Sequence, residues 1–469
     1  MPRACPLRSV DVMTTQHTAP LASSPGEPGY TDAIAAFNLL PSITPARTVV
    51  ARSALDAQAA IRYATERGRP VSVITTGHSL GSSQPLDGAL LVRTAFEATV
   101  RVDPLRRTAQ IPAGATWADV VAAATPHGLV ALHGSSGTVG AIGYLLRGGL
   151  SFYGREFGIA ANSITSITIA LADSSIVTAS ATSDAELFWA LRGGGGGFGI
   201  VLEIEIELRP MWKVLTGITI WDSTHAADII PRWLDWAKTA PPEISTSLRV
   251  LNLPPLPGIP PMLQGRQVIA IDGSVSIVGP NLLGQSVSIA DELLAPLRAS
   301  AEPILDTWDA VEPDALLLTH MDPPEPLPYI GDHFLVSGVD EADVTALLAL
   351  IGPGSDSMLS AVEFRQLGGA IAEPSAAGGA FDRTGAEHAF LVVAAIGGPA
   401  TVEAQHATMA AARAALSHRD TGYTAPTFVE STDQPSRTFD DYTAARVESI
   451  RSRVDPTGLF SLMVSRANR

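Results

Sequence analysis

The 469-residue sequence has a single cysteine, Cys5, in the irregular head "MPRACPLRSVDVM", which excludes a disulfide framework and a thiolate metal site. Such cysteine poverty fits a reducing compartment. Positive charge is scarce as well: 31 lysines and arginines stand against 47 acidic residues, a formal net charge of −16. A chain this acidic, without a basic run interleaved with aromatics, repels phosphate backbones, so no nucleic-acid partner is expected. No stretch reaches the roughly 20 apolar residues of a membrane span, and the head has no continuous apolar segment before a small-residue cleavage site. The expectation is a soluble, cytoplasmic protein, monomer or homodimer, with no membrane partner. His133, His320, His333 and His388 are scattered without metal-ligand spacing, so no metal site is expected and each reads as structural or surface.

What is present is apolar and periodic. With 46% hydrophobic residues the chain can bury a large core, and its length allows two or three domains. After an extension over 1–41, "SALDAQAAIRYATERG" reads as a helix and "RPVSVITTG" as the strand that follows. "RTAQIPAGA", "WADVVAAATPHG" and "LVALHG" repeat strand, helix, strand, and "SITSITIALADSSIVTAS" reads as two strands about a polar turn. Ser183 and Glu186 are spaced as a capping box for the helix "AELFWALR". Beyond five glycines, Leu202, Ile204, Ile206 and Leu208 alternate with glutamates, the period of a strand with one dry face. Arg209-Pro210 ends this unit. From Met211 proline-rich loops separate helices and strands, giving a second domain over 211–419, and 420–469 contains a last helix stopped at Asp455-Pro456.

Three loops rich in glycine and hydroxyls, near 75–84, 134–149 and 193–199, offer backbone donors that could meet on one pyrophosphate. Gly194, Gly196 and Gly199 satisfy G-x-G-x-x-G, but a helix precedes them and a strand follows, the reverse of a dinucleotide-binding turn; an NAD-dependent dehydrogenase is therefore disfavoured. The second loop lacks the lysine and hydroxyl residue of a phosphate-binding P-loop, and "GSSG" is no nucleophile elbow. Loop flexibility alone is the competing account of the glycines. The first loop, "TTGHSLG", also encloses one histidine, His78.

The pieces "TTGHSLG", "AGATWADVV", "TVGAIGYLLRGGLSFYGREFGIAANSI", "ELFWALRGGGGGFGIV" and "RVDPTGLF", with "VEFRQLGGAIAEP" from Val362 to Pro374, resemble the FAD-binding oxidoreductases of the vanillyl-alcohol oxidase (PCMH) type, in the branch of berberine bridge enzyme and 6-hydroxy-D-nicotine oxidase. The resemblance implies an α+β fold. An FAD-binding domain would span 42–210, joined by the returning segment 420–469. A substrate domain on a mainly antiparallel sheet with flanking helices would span 211–419. His78 falls where that family bonds its histidine to the flavin, and a hydrogen-bonded loop histidine is the competing account. Around it Thr75, Thr76, Gly77, Ser79, Leu80, Gly81 and Gln84 would line the cofactor. From the second loop Gly134, Ser135, Ser136, Thr138, Val139 and Gly140 would do so, followed by Gly143, Tyr144, Gly148 and Gly149. Gly196, Gly199 and Ile200 complete the expected lining.

Departures from the family pattern carry information. Doubly linked members place a cysteine just before "TVG", where this chain has Ser136, so one link is expected. Many members place a histidine where Tyr144 stands. A tyrosine before the last helix is replaced by "PTFVESTDQ". The candidate catalytic residues are accordingly Tyr144, Tyr153 and Glu430, with aromatic packing competing for Tyr144 and a solvated strand-edge carboxylate for Glu430. The implied reaction is oxidation of a small organic molecule, an alcohol, amine, phenol or hydroquinone, by hydride transfer to the flavin, with dioxygen as acceptor. An FAD-containing binding or sequestration protein, or a non-redox cyclase, is the alternative that a missing base permits.

Overall fold

The computed structural model describes residues 22–460 except 83–85, 377, 399–400, 433 and 435–436, so Cys5 and Gln84 lie outside the described residues. Strands Arg47–Ala51, Leu90–Thr94 and Val71–Ile74 form a parallel sheet in that order. Parallel pairing needs a crossover, supplied by helix Ala54–Glu66, which buries Ala57, Ala60, Ile61 and Ala64 at helical spacing and is capped by Ser53. Beside it, an antiparallel sheet runs Arg101–Asp103, Thr108–Pro112, Ile200–Glu207, Ile164–Ala170, Ile176–Ser180. Ile204 and Ile206 are fully buried in the third of these strands, as its alternation requires.

One local expectation is corrected. The helix Ala185–Leu191 is capped by Asp184, whose carboxylate accepts from Leu187 N, and the Ser183–Glu186 box does not form. Ser183 is instead tied into a bridge with Ser180, which moves the cap one residue on.

From Lys213 onward the chain builds an eight-stranded sheet. Leu305–Asp306, Lys213–Asp222, Arg266–Ile277, Ile244–Leu253, Ala361–Gln366, His388–Ala395 and Tyr329–Val336 follow one another, and Asp309–Val311 pairs beside Lys213–Asp222. All the pairings in it are antiparallel. Successive strand residues point to opposite faces, so one face holds Leu248, Val250, Ile271, Val362 and Phe364 against the flanking helices. The other face carries Ser247, Arg249, Asp272, Glu363 and Arg365, all buried. Charges cannot be left dry without partners, so this face must meet polar groups or a ligand.

The two parts are joined by Arg155 and by the last helix. The Arg155 guanidinium donates to the carbonyls of Ile244 (2.8 Å), Ala240 (2.7 Å), Pro241 (3.3 Å) and Leu367. Helix Asp441–Val454 places Val447, Ile450 and Val454 in the same apolar cluster as Ile164, Leu187 and Ile204. The Asp455 carboxylate then accepts from Leu459 N and Phe460 N, both at 2.8 Å, and turns Phe460 alongside Val71.

Candidate functional site

The β-branched strand Val71–Ile74 ends in a turn that only glycine can make at Gly77: its φ is +76°, and an added Cβ would sit 2.6 Å from Ala36 Cβ. His78 follows directly. Its ring stacks on Phe37 with centroids 3.7 Å apart, and Nε2 lies 2.9 Å from Thr138 Oγ1. Burial pushes the imidazole down to about 4, against the Asp322 carboxylate and a hydrogen bond to the Thr138 backbone, so the ring is neutral near pH 7.

The first two loops therefore meet. Thr76 Oγ1 accepts from Gly140 N (3.2 Å), Thr138 Oγ1 is 2.9 Å from Ser136 Oγ, and a Cβ at Gly140 would press on the Thr75 side chain at 3.1 Å. Thr75 Oγ1 lies 2.8 Å from Thr94 Oγ1, the Val139 carbonyl accepts from Trp117 N, and the Ser79 carbonyl accepts from Ser82 Oγ. Leu80 is buried, Gly81 packs on the Glu430 carbonyl, and Gly143 faces open space. The third loop is placed otherwise. The Gly194 and Gly196 carbonyls accept from Arg451, Gly199 lies against the Ala170 carbonyl, and Ile200 is in the core. Its tie toward the second loop is Gly195 N donating to the Leu146 carbonyl.

Tyr144 projects from the short helix Ala141–Leu146, edge-on to Trp117 at 5.2 Å, and its ring occupies the space that a Cβ at Gly134 or Gly149 would need. Gly148, with φ +87°, faces Phe381 in the same way. Among the described residues the Tyr144 and Tyr153 hydroxyls are buried without hydrogen-bond partners, and burial raises both phenols well above their ordinary range. Burial thus favours the protonated phenol at both positions.

Glu430 departs from the solvated strand-edge account. Its Oε2 is buried and unpartnered, because the sheet edge at Tyr329 and the loop bearing Arg147 close over it. Burial raises its carboxyl to about 7, against Arg147 and a hydrogen bond from Tyr329. The Tyr329 hydroxyl also lies 2.9 Å from the His78 carbonyl, linking this pair to the histidine loop. A carboxyl protonated more readily in the folded state stabilises the fold below its unfolded pKa of about 4.5, and that contribution is lost as pH rises through about 7. Glu430→Gln should flatten this slope, worth on the order of 3 kcal/mol, and denaturant midpoints at pH 5 and pH 8 measure it.

Residues from the large sheet face the same region, and sequence reasoning did not single them out. Ser135 Oγ donates to Asp322 Oδ2 at 2.7 Å. Arg365 lies over the rings of Phe152 and Phe428, 5.3 and 5.2 Å from their centroids, and its charge reaches Tyr144. Arg365 Nε donates to Glu363 Oε1 (2.7 Å), which also accepts from Ser247 Oγ (2.9 Å). His320 sits between Asp272, 3.1 Å from Nδ1, and Glu363, 3.4 Å from Nε2. Burial and Arg249 push His320 down, but Asp272, Glu363 and Asp322 outweigh them and raise it to about 9. Among the described residues no cluster has the makeup of a metal site, and no helix is long and apolar enough to cross a membrane.

The family described as FAD binding domain matches residues 45–180. Over 170 residues the chain is 32% identical to (R)-6-hydroxynicotine oxidase of Paenarthrobacter nicotinovorans, covering 36% of this chain and 37% of that protein. The chain thus spans well under half the length of this curated relative. The fold is shared more widely. Berberine bridge enzyme-like 1 of Physcomitrella patens superposes with a TM-score of 0.80 at 19% identity, covering 96% of this chain and 97% of that one. Glucooligosaccharide oxidase of Acremonium strictum, whose FAD is described as 6-S-cysteinyl and 8α-N1-histidyl, superposes with 0.75 at 20% identity, covering 95% and 96%. The fold is thus shared with these two solved structures, and residues 45–180 match the family described as FAD binding domain. The residues present fit that cofactor: two hydroxyl-rich loops meet on a neutral, ring-stacked histidine.

Proposed function

We propose that the chain is an FAD-linked oxidoreductase carrying its flavin on His78 and oxidising a small organic substrate between the histidine loop and the polar face of the large sheet. The observation that carries this reading is convergence. His78, Ser135 and Tyr144 from one part meet Asp322, Tyr329 and Arg365 from the other. When bound, FAD accepts a hydride at N5 and passes the electrons to dioxygen. The protein's own share is to orient and dry the substrate: Phe152, Phe428 and Tyr144 supply flat apolar walls, while Arg365 and Asp322 supply fixed charges.

With both tyrosines pushed up by burial, the proton problem is best solved by the substrate. A phenol, hydroquinone or reduced aromatic ring brings a readily lost proton, whereas an alcohol or amine needs a side-chain base worth typically 10²- to 10⁴-fold. Anaerobic flavin bleaching with panels of both kinds tests this. Tyr144→Phe, Tyr153→Phe and Glu430→Gln should each change the bleaching rate less than about tenfold, and a drop of about 10³-fold with flavin content intact would make that residue the base. Absence of bleaching by any donor would favour a binding or non-redox role.

A further inference from the structure

The His78 ring is fixed on two sides, and what remains free is informative. Phe37 covers one face at an interplanar angle of 12°, Nε2 meets Thr138 Oγ1 at 2.9 Å, and Thr138 Oγ1 meets Ser136 Oγ at 2.9 Å. The ring's hydrogen bonds run to Thr138, through its hydroxyl, which meets Nε2, and through its backbone. Because burial keeps the imidazole neutral, one of its nitrogens must carry the only proton. A hydroxyl has one proton to give. If Thr138 gives it to Ser136, its lone pair receives Nε2–H, and Nδ1 is left with the lone pair.

We propose that Thr138, oriented by Ser136, is the positioning residue that holds His78 as its Nε2–H tautomer and thereby makes Nδ1 the nitrogen that bonds the flavin 8α-carbon. The proposal rests on the reading of His78 as the flavin's attachment point. The step balances as follows: the Nδ1–C bond forms, one C–H bond of the 8α-methyl and the Nε2–H bond break, and two electrons leave through the isoalloxazine to dioxygen. Dioxygen and the two protons give hydrogen peroxide. Thr138 and Ser136 are the groups placed to take the Nε2 proton as the new bond forms. Valine keeps the shape of threonine but cannot accept that proton; serine can.

The experiment compares wild type, Thr138→Val, Thr138→Ser and Ser136→Ala as purified holoproteins. Two quantities are read for each: total FAD per chain under native conditions, and the fraction still attached after acid precipitation. The attached nitrogen is identified by NMR of the flavin peptide. Wild type should retain its flavin through Nδ1. Thr138→Val should hold FAD natively but lose at least tenfold in attached fraction, Thr138→Ser should recover it, and Ser136→Ala should fall between. If Thr138→Val fails to fold, full attachment in Thr138→Ser together with an Nδ1 link supports the proposal. Attachment through Nε2 in wild type, or equal attachment in Thr138→Val, overturns it while leaving the His78 reading intact. Complete release of flavin from wild type overturns that reading and the proposal with it.

Discussion

Asp272→Ala should destabilise the fold by about 3–5 kcal/mol, the usual cost of removing one partner from a buried ion pair. Asp272 is fully buried and is the carboxylate that meets both Arg249 and the His320 Nδ1 edge. Its loss leaves the buried Arg249 without its ion-pair partner and removes one of the three acids that hold the proton on His320, Glu363 and Asp322 being the other two. The same network predicts a pH response. His320, raised to about 9, contributes stability that is fully present below its unfolded pKa of about 6.5 and is lost as pH rises through about 9. Denaturant midpoints should therefore fall from pH 6.5 to 9 in wild type and stay flatter in Asp272→Asn, which removes the charge and keeps an acceptor. A midpoint for Asp272→Ala within 1 kcal/mol of wild type would show that water enters and solvates this face.

Arg155→Ala should be comparably damaging for a different reason. One guanidinium donates to four carbonyls of the second part, of which Pro241's also accepts from Ile244 N, and a buried carbonyl left without its donor costs about 1–3 kcal/mol. Partial relaxation makes a total near 4 kcal/mol the expected result. Arg155→Lys should recover less than half, because an ammonium cannot match the planar fork. Limited proteolysis should then cut near Ala240–Ile244 before the rest of the chain, and an unchanged proteolytic pattern would mean that other contacts hold the two parts together.

Legibility in the sequence tracked the range of the interactions involved. The helix over 54–66 and the strand over 200–207 follow from apolar period, which is set within a few residues, and each could be read directly. The site was legible where a loop carries its own chemistry, as in "TTGHSLG". It was not legible where strands assemble it. Asp272, Ser247 and Arg365 become neighbours only through the register of three strands, and no local pattern announces that pairing. His320, expected as a structural or surface histidine, joins them from a separate turn. Glu430 looked solvated because its flanks are polar, whereas Arg147 and Tyr329, which enclose it, lie elsewhere in the chain. The alternation of polar and apolar residues along 244–253 was the available signal for a buried charged face.

The pairing of Phe460 beside Val71 has a bearing on when the protein can become whole. The strand that leads into the histidine loop pairs on one side with Leu90–Thr94 and gains its neighbour on the other side from Phe460, some 390 positions later in the chain. The strands over 47–94 and the five-glycine loop, which waits for Arg451, therefore spend most of synthesis without their closing contacts. A nascent chain of this design is exposed to premature capture by chaperones or proteases for longer than one built from consecutive units, and it would take up its cofactor late, as one of the last events of its maturation.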